Sequence, residues 1–207
     1  MKTLVRSFTI VFASLAVAAI SPNFAFAQNV APVPAQDKPR VEVKTSLGAI
    51  VIELDPAAAP KTVENFLSYV KSGQYDGTVF HRVIKGFMIQ GGGFSSDMKE
   101  KSTKAPITNE AEMALKAGVK NDRGTIAMAR TGDPHSATAQ FYINHGNNDM
   151  LNFPSRDGWG YVAFGKVVSG IEVLDKIADV ATANKGQYQN VPQTPVVIEK
   201  ATLITKK

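Results

Sequence analysis

The 207-residue sequence contains no cysteine. This absence excludes a disulfide framework, a thiolate nucleophile, a cysteine zinc site and a lipidated N-terminal cysteine. Histidine is nearly as rare, because the chain has only three: His81, His135 and His145. Their spacing does not match that of metal ligands. The sequence therefore predicts neither a metal site nor a cofactor.

A region of one charge sign is also lacking. The chain has 23 basic and 18 acidic residues, a net charge of +5. Lys2 and Arg6 lie in a segment that we expect to be removed, and without them the excess falls to +3. The remaining charges are interspersed, which is typical of a solvated surface and not of a nucleic-acid-binding face. A hydrophobic fraction of 44% with 20% charged residues indicates a globular chain.

Residues 1–27 have the features of a cleavable secretory signal. Lys2 and Arg6 precede a 13-residue apolar run, Phe8–Ile20, and Ala25-Phe26-Ala27 provides the small residues that precede a cleavage site, here after Ala27. A helix of that length spans about 20 Å, which is too short for a hydrocarbon core of roughly 30 Å. The sequence therefore predicts a removed signal and not a membrane anchor.

Residues 28–40 contain three prolines and predict an extended polar linker. From Val41 to the C-terminus (41–207) the pattern is that of one folded domain. Val41 and Val43, then Ile50, Ile52 and Leu54, alternate with other residues around a Leu47-Gly48 turn and predict a β-hairpin. Further apolar stretches bounded by glycine or proline predict six more strands: 79–84, 87–90, 124–129, 140–144, 161–167 and 196–205.

Two stretches have the helical period. Val63, Phe66, Leu67 and Val70 follow Pro60 and precede Gly73, and a second apolar series starts at Ile171. Ser169 and Glu172 are spaced as a capping box for this second helix. Eight strands with two helices exclude an alternating βαβ fold. They favour a mainly β fold, a closed eight-stranded antiparallel barrel with a helix over each open end.

Several motifs suggest chemistry that the rest of the sequence does not support. Residues 160–167 resemble a phosphate-binding loop, but Val167 stands where a hydroxyl must bind magnesium. The Gly91-Gly92-Gly93 run predicts a turn or a bulge. No Gly-x-Ser-x-Gly elbow is present. Glu110 and Glu112 have no partner carboxylate in the pattern and are expected to be solvated.

The three histidines are expected to be structural. His135 and His145 flank a predicted strand and should anchor loops. His81 lies within a strand, where a hydrogen-bonded histidine is the simplest interpretation.

One strand pair, Phe80–Ile84 followed by Phe87–Gln90, places a cation among apolar residues. Alternation predicts that Arg82 shares a face with Phe80 and Ile84, and that Met88 shares a face with Gln90. Two interpretations remain open from the pattern. Either the arginine stem packs while its head stays in water, or a reaction uses one fixed cation and a hydrophobic slot without any bond-making group.

Four motifs follow one another along the chain: FHRVIKGFMIQGGGF, TIAMAR, ATAQFYIN and YVAFGKVVSG. With these motifs in this order, the chain from about Val41 to the C-terminus resembles the cyclophilin family of peptidyl-prolyl cis-trans isomerases. Together with the export signal, it resembles the periplasmic bacterial branch of that family. The resemblance implies an eight-stranded barrel capped by two helices and an isomerase that assists folding of exported proteins. The implied partners are proline-containing peptides and unfolded exported proteins, with no nucleic acid, no membrane after signal cleavage, and a monomeric enzyme in the periplasm.

The resemblance also implies site residues. It assigns catalytic roles to Arg82 and Gln90. It implies that the substrate is bound by Phe87, Met88, Ala129, Arg130, Thr131, Gln140, Tyr142, Met150, Leu151 and Tyr161.

Three positions depart from the family pattern. Met150 stands where many eukaryotic members have tryptophan, Tyr142 where phenylalanine is usual, and Tyr161 where histidine is common. These changes keep an apolar pocket, so isomerisation should survive. Cyclosporin should bind weakly, because the indole N–H that donates to this ligand is missing.

Two other functions are compatible with parts of the pattern. A proline-binding module would use the same groove without turnover, but it would have no need for Arg82. A carrier of small apolar ligands would need a large cavity inside the barrel, whereas the inward-facing positions carry side chains large enough to fill it.

Overall fold

The computed structural model describes residues 38–205 of the chain. These residues contain ten strands and three helices. The predicted signal segment and most of the predicted linker lie outside these residues. The strands are β1 (Arg40–Thr45), β2 (Gly48–Leu54), β3 (Thr78–Ile84), β4 (Met88–Ser95), β5 (Thr125–Met128), β6 (Phe141–Asn144), β7 (Ala163–Ser169), β8 (Thr182–Lys185), β9 (Tyr188–Pro192) and β10 (Val197–Ile204). The helices are α1 (Pro60–Lys71), α2 (Ala111–Lys116) and α3 (Ile171–Ala178), with a 3-10 turn at Asp149–Leu151.

Eight of the strands close into a barrel in the order β1-β10-β3-β4-β6-β5-β7-β2. Every pair in the barrel is antiparallel. The closed eight-stranded barrel predicted from the sequence is confirmed. Closure pairs the strand edges with each other, so the barrel presents none to a second chain.

The interior of the barrel is filled by alternate side chains of its strands. Ile50, Ile52 and Leu54 of β2 are 0% exposed, as are Ile89 of β4 and Ile143 of β6. These residues form one hydrophobic cluster with side chains from α1 and α3. The filled interior leaves no support for the ligand-carrier hypothesis.

Helix α1 begins with Pro60 at its first turn, as predicted, but its cap comes from a distant residue. The residue before the helix, Ala59, provides no side-chain hydrogen bond. The Glu110 carboxylate accepts hydrogen bonds from the Lys61 amide at 3.2 Å and from the Thr62 amide and hydroxyl at 2.9 and 2.8 Å. The expectation that Glu110 is solvated is wrong, because it is buried as an acceptor at the positive end of the helix dipole. Glu112 is exposed and pairs with Lys116.

The predicted capping box at the start of α3 is also wrong. The N-cap residue is Gly170, with φ 84°, and no side chain caps the helix. A Cβ at position 170 would lie 2.2 Å from the Ala49 carbonyl oxygen. Only glycine fits this close approach. With Gly170 as the N-cap, the helix begins at Ile171, one residue later than the capping box predicted.

A bulge in β3 changes which residues face the interior. Phe80 pairs with Gly91 and Arg82 with Gln90, so two steps along β3 correspond to one step along β4. Phe80 therefore belongs to the interior cluster, while Arg82 lies on the outer side. The expectation that these two side chains share a face is wrong, because His81 is an extra residue in the ladder.

The glycine run in β4 lets large side chains approach the strand. A Cβ on Gly92 would lie 2.9 Å from the rings of both Tyr75 and Phe141, and one on Gly91 would lie 3.0 Å from the Phe80 ring. The run lies where the register shifts, so the predicted bulge is confirmed. The strand continues through the glycines to Ser95 instead of ending at Gln90.

The hairpin β8–β9 and the short helix α2 were not predicted. The residues of β8 are mostly polar and exposed, which gives no period-two signal. The Tyr188 ring of β9 packs on Phe94 of β4, with ring centroids 5.3 Å apart. Within residues 38–205, no helix is both long enough and apolar enough to cross a membrane.

Candidate active site

Four neighbouring strands place one side chain each in a row across the outside of the barrel. Arg82 of β3 lies opposite Gln90 of β4, and Gln90 lies opposite Tyr142 of β6. Tyr142 in turn lies opposite Ala127 of β5. Residues directly opposite in an antiparallel pair are on the same face of the sheet. The sheet register therefore brings a cation, an amide and an aromatic ring together.

A second hydrophobic cluster, separate from the interior core, forms the floor beside this row. Its buried members are Met88, Ala127, Tyr142 and Ala163. Partly buried side chains, among them Phe87, Leu151 and Tyr161, pack against them. The outer surface of the barrel is thus apolar at this place.

A cavity of about 120 Å³ opens over the cluster. It is far smaller than pockets for drug-sized ligands, which start at roughly 300 Å³, and suits one small ring. Its lining residues are Arg82, Phe87, Met88, Gln90, Ala129, Arg130, Tyr142, Leu151 and Tyr161.

All nine lining residues are among the twelve that the sequence predicted. Thr131 and Gln140 lie outside the cavity but line an adjoining one of about 220 Å³, which shares Gln90, Ala129 and Arg130 with it. Met150 lies outside both cavities, and the residue is 61% exposed. In the 3-10 turn Leu151 lines the cavity while its neighbour Met150 is left in solvent, so the expected place of Met150 in the pocket wall is not observed.

The two arginines of the cavity differ in their partners. The Arg130 guanidinium donates to Asp157 and to the Gly160 carbonyl, and it stacks 4.3 Å from the centre of the Tyr161 ring. Across residues 38–205, none of the ion pairs involves Arg82. Arg130 is therefore bound within the wall, whereas Arg82 lines the cavity without an ion-pair partner among these residues.

The electrostatics of the wall follow from these contacts. The Arg130 hydrogen bond, helped by the Trp159 and Gly160 amides, lowers the pKa of Asp157 to about 2. Burial raises the pKa of the Tyr142 phenol well above its usual value, with a further contribution from Tyr161 and an opposing one from Arg130. Tyr142 therefore remains a neutral hydrogen-bond donor at ordinary pH.

The amide of Gln90 is held by a second glutamine. Its Nε2 donates to Oε1 of Gln140 at 3.0 Å. A Cβ on Gly93 would lie 2.5 Å from Cγ of Gln140, so glycine at this position leaves room for the Gln140 side chain. The glycine run thus contributes to the site as well as to the strand.

Sequence reasoning missed the residues that lie behind the cavity. The Tyr142 hydroxyl donates to Oδ1 of Asn121 at 2.8 Å, and Asn121 is 1% exposed. One signal for such residues is an asparagine at the end of an otherwise apolar strand, such as Asn144 in Phe141–Asn144. Nothing local marks Asn121, because its partner is 21 residues away.

The histidines are structural, with one difference from the prediction. Nδ1 of His145 accepts from the Gly86 amide at 2.9 Å and Nδ1 of His135 from the Asn109 amide at 3.1 Å, so both anchor loops as predicted. His81 is buried against the Phe94 ring, but its Nδ1 has no hydrogen-bond partner.

Larger clefts lie elsewhere on the surface of residues 38–205, with volumes of about 290, 490 and 380 Å³. The first adjoins the β8–β9 hairpin, and the second has a rim of mixed charge that includes Lys120 and Lys166. None of these clefts is lined by a residue that the sequence predicted for the site. Within residues 38–205, no three His, Cys, Asp or Glu side chains are grouped so that they could hold a metal ion.

Comparison with known proteins gives one consistent match. Residues 40–203 match the family model described as cyclophilin type peptidyl-prolyl cis-trans isomerase/CLD. The chain is 55% identical over 165 residues to peptidyl-prolyl cis-trans isomerase B of Escherichia coli, covering 79% of this chain and 98% of that protein. It is 52% identical over 192 residues to peptidyl-prolyl cis-trans isomerase A of Dickeya dadantii, covering 93% and 94%.

A solved structure agrees with these sequence matches. It is a cyclophilin type peptidyl-prolyl cis-trans isomerase of Cryptosporidium parvum, crystallised in the presence of the dipeptide Ala-Pro. The TM-score is 0.64 at 29% identity, covering 81% of this chain and 99% of that one.

Proposed function

We propose a mechanism for this chain, which belongs to the cyclophilin family and is a peptidyl-prolyl cis-trans isomerase. In this mechanism, Arg82 promotes rotation of the Xaa-Pro bond by donating a hydrogen bond to the prolyl nitrogen. The observation that carries the proposal is the placement of this guanidinium. It lines a small cavity beside the outer hydrophobic cluster and has no ion-pair partner in residues 38–205.

The barrier that the enzyme must lower is the amide resonance. A planar peptide bond resists rotation by ~18–20 kcal/mol. Turnover near 10³ per second corresponds to a barrier of about 13 kcal/mol, so roughly 6 kcal/mol must be removed. No bond to the enzyme is needed, because nothing is transferred during isomerisation.

A hydrogen bond to the prolyl nitrogen strengthens only during the rotation. In the planar amide the nitrogen lone pair is delocalised, and in the twisted geometry it is localised and accepts a proton donor. A donor fixed at this place therefore binds the transition state better than either ground state. A charge-assisted hydrogen bond in a partly desolvated site supplies about 3 kcal/mol of the difference.

The remaining part comes from holding the substrate. The proline ring enters the cavity formed by Phe87, Met88, Tyr142 and Leu151, while Gln90 and the Ala129–Thr131 segment hold the peptide backbone. Fixing one side of the bond lets the other side rotate without loss of orientation. The Ala-Pro dipeptide used with the Cryptosporidium parvum relative supports a proline-containing peptide as the ligand.

Turnover of an Xaa-Pro peptide, measured by NMR line shapes, tests the role of Arg82. Arg82→Ala should lower the exchange rate about 10²-fold, the equivalent of about 3 kcal/mol, while the peptide still binds. Arg40→Ala is the matched control, because Arg40 pairs with Glu53 on β1 and β2, away from the cavity. Near-native turnover in Arg82→Ala would refute the mechanism. If the variant binds peptide but does not turn it over, catalysis and binding are separate properties of the groove.

We also propose that the enzyme acts on exported proteins outside the cytoplasm, in the bacterial periplasm. The support is the signal-like sequence of residues 1–27 and the match to the Dickeya dadantii relative, which covers 93% of the chain and so includes part of the region before residue 38. Expression of the full chain in a bacterium, followed by cell fractionation and N-terminal sequencing, tests this. A mature protein that starts at Gln28 is expected, and an uncleaved protein in the cytoplasm would contradict it.

A further inference from the structure

Three buried asparagine side chains lie directly behind the cavity. Asn121 is 1% exposed, Asn144 is 0% and Asn148 is 3%. An amide buried without partners is costly, so a group of buried amides persists only when its hydrogen bonds are satisfied. None of the three lines the cavity, so a role at this site must act through other residues.

Asn121 is the centre of the group. Its Oδ1 accepts from the Tyr142 hydroxyl at 2.8 Å and from Nδ2 of Asn144 at 3.3 Å. Its Nδ2 donates to the Tyr161 carbonyl at 3.1 Å and to Oδ1 of Asn152 at 3.1 Å. A side-chain amide has two acceptor positions and two donors, so the hydrogen-bonding capacity of Asn121 is fully used.

The same network reaches the other walls of the cavity. Nδ2 of Asn148 donates to Oδ1 of Asn144 at 2.6 Å and to the Phe87 carbonyl at 2.9 Å. The Asn148 carbonyl accepts from the Leu151 amide at 2.8 Å. The asparagines therefore connect Phe87, Tyr142, Leu151 and Tyr161, which belong to four different segments of the chain.

From this arrangement we infer that Asn121 is a positioning residue, which sets the shape of the proline pocket by holding Tyr142 and Tyr161 at a fixed separation. This inference rests on the proposed binding of the proline ring in the cavity. The Tyr142 and Tyr161 rings meet edge to face with their centroids 6.1 Å apart. Asn121 binds the hydroxyl of the first residue and the backbone of the second, so it fixes this contact from behind.

Loss of Asn121 would leave the Tyr142 hydroxyl and the Tyr161 carbonyl without this hydrogen-bond partner. The Tyr142 hydroxyl could regain a partner only by moving its ring, or by admitting water behind the pocket floor. Either change alters the surface that receives the proline ring. Because that ring occupies the pocket in both isomers and in the transition state, ground-state and transition-state binding weaken together. The expected result is a higher KM with little change in kcat.

The experiment measures peptide affinity and exchange rate by NMR for Asn121→Ala, Tyr142→Phe and the double variant. We expect about tenfold weaker peptide binding for Asn121→Ala and about threefold for Tyr142→Phe, with kcat within about twofold of wild type. The double variant should bind no more weakly than Asn121→Ala alone, because both substitutions remove the same hydrogen bond.

Thr62→Val is the matched control. It also removes a buried hydrogen bond, from the Thr62 hydroxyl to Glu110, but at the start of α1 and away from the cavity. Its affinity for the peptide should equal that of the wild type. Equal weakening in Thr62→Val, unchanged binding in Asn121→Ala, or additive effects in the double variant would each overturn the inference.

Two further outcomes are decisive. If Asn121→Ala does not fold, Tyr142→Phe alone decides, because it lacks only the hydroxyl that Asn121 binds, and native affinity in it overturns the inference. Failure of the Arg82 mechanism would appear as native turnover in Arg82→Ala and would leave the affinities of this series unchanged. The two proposals can therefore fail separately.

Discussion

His81 is expected to make the stability of the fold depend on pH between 7.5 and 5. Burial lowers the pKa of His81 from 6.5 to about 4; the Val79 carbonyl opposes this shift, and the Arg82 charge adds to it. The ring lies 4.7 Å from that of Phe94, and Nδ1 has no partner that could stabilise a proton. The folded protein therefore excludes a proton that the unfolded chain accepts.

The sign and size of the effect follow from proton linkage. Below pH 6.5 the unfolded chain binds the proton while the folded protein does not, so stability falls as the pH drops and stops falling near pH 4. Between pH 7.5 and pH 5, two pKa values that differ in this way give a loss of about 2 kcal/mol in the free energy of unfolding. Carboxylates interfere little at pH 5, because the pKa values of Asp and Glu in an unfolded chain are about 3.9 and 4.3. The lowered pKa values of Asp97 and Asp157 therefore affect stability mainly below pH 5.

Urea unfolding followed by circular dichroism at the two pH values measures this loss. His81→Phe keeps a ring against Phe94 but cannot titrate. The difference between the two pH values should therefore be about 2 kcal/mol smaller in this variant than in the wild type. An equal pH dependence in the two proteins would show that His81 is not the group responsible, whatever the absolute stability of the variant.

Three other predictions concern the cap, the glycine run and inhibition. Glu110→Ala should lower the free energy of unfolding, measured in urea, by about 2–4 kcal/mol, because it removes the carboxylate cap of α1. As the control, Glu112→Ala at an exposed position should change the same free energy by less than about 0.5 kcal/mol. Gly93→Ala should reduce kcat/KM about tenfold by displacing Gln140, and native activity would contradict this. Gly132→Ala, whose Cβ would meet nothing within 4 Å, is the control in the same assay. Cyclosporin should inhibit weakly, since no indole is among the described residues that line the cavity; submicromolar inhibition in a turnover assay would show that the donor is dispensable.

The elements with a clear local period could be predicted from the sequence. The β1–β2 hairpin alternates apolar residues around a glycine turn, and α1 has an apolar face between Pro60 and Gly73. The nine residues that line the cavity were identified through the family resemblance, and the strand register accounts for the meeting of Arg82, Gln90 and Tyr142. The pattern alone could not decide between a wet surface arginine and a functional one.

What could not be predicted depends on contacts between distant residues. Glu110 caps a helix 48 residues earlier in the chain, and Asn121 binds a hydroxyl 21 residues later. Neither partner is visible in a local window. The prediction that Arg82 and Phe80 share a face was wrong for another reason. A bulge inserts one residue into the strand, so the alternation of faces changes there although the composition does not.

The row formed by Arg82, Gln90, Tyr142 and Ala127 separates recognition from folding. Each strand contributes one outward side chain to the row, while its inward neighbours hold the register. A substitution of Arg82 or Gln90, which line the cavity and are only partly buried, can therefore change which peptides are accepted without disturbing the hydrophobic interior. Combinatorial libraries confined to these two positions would explore ligand preference while leaving the interior core unchanged.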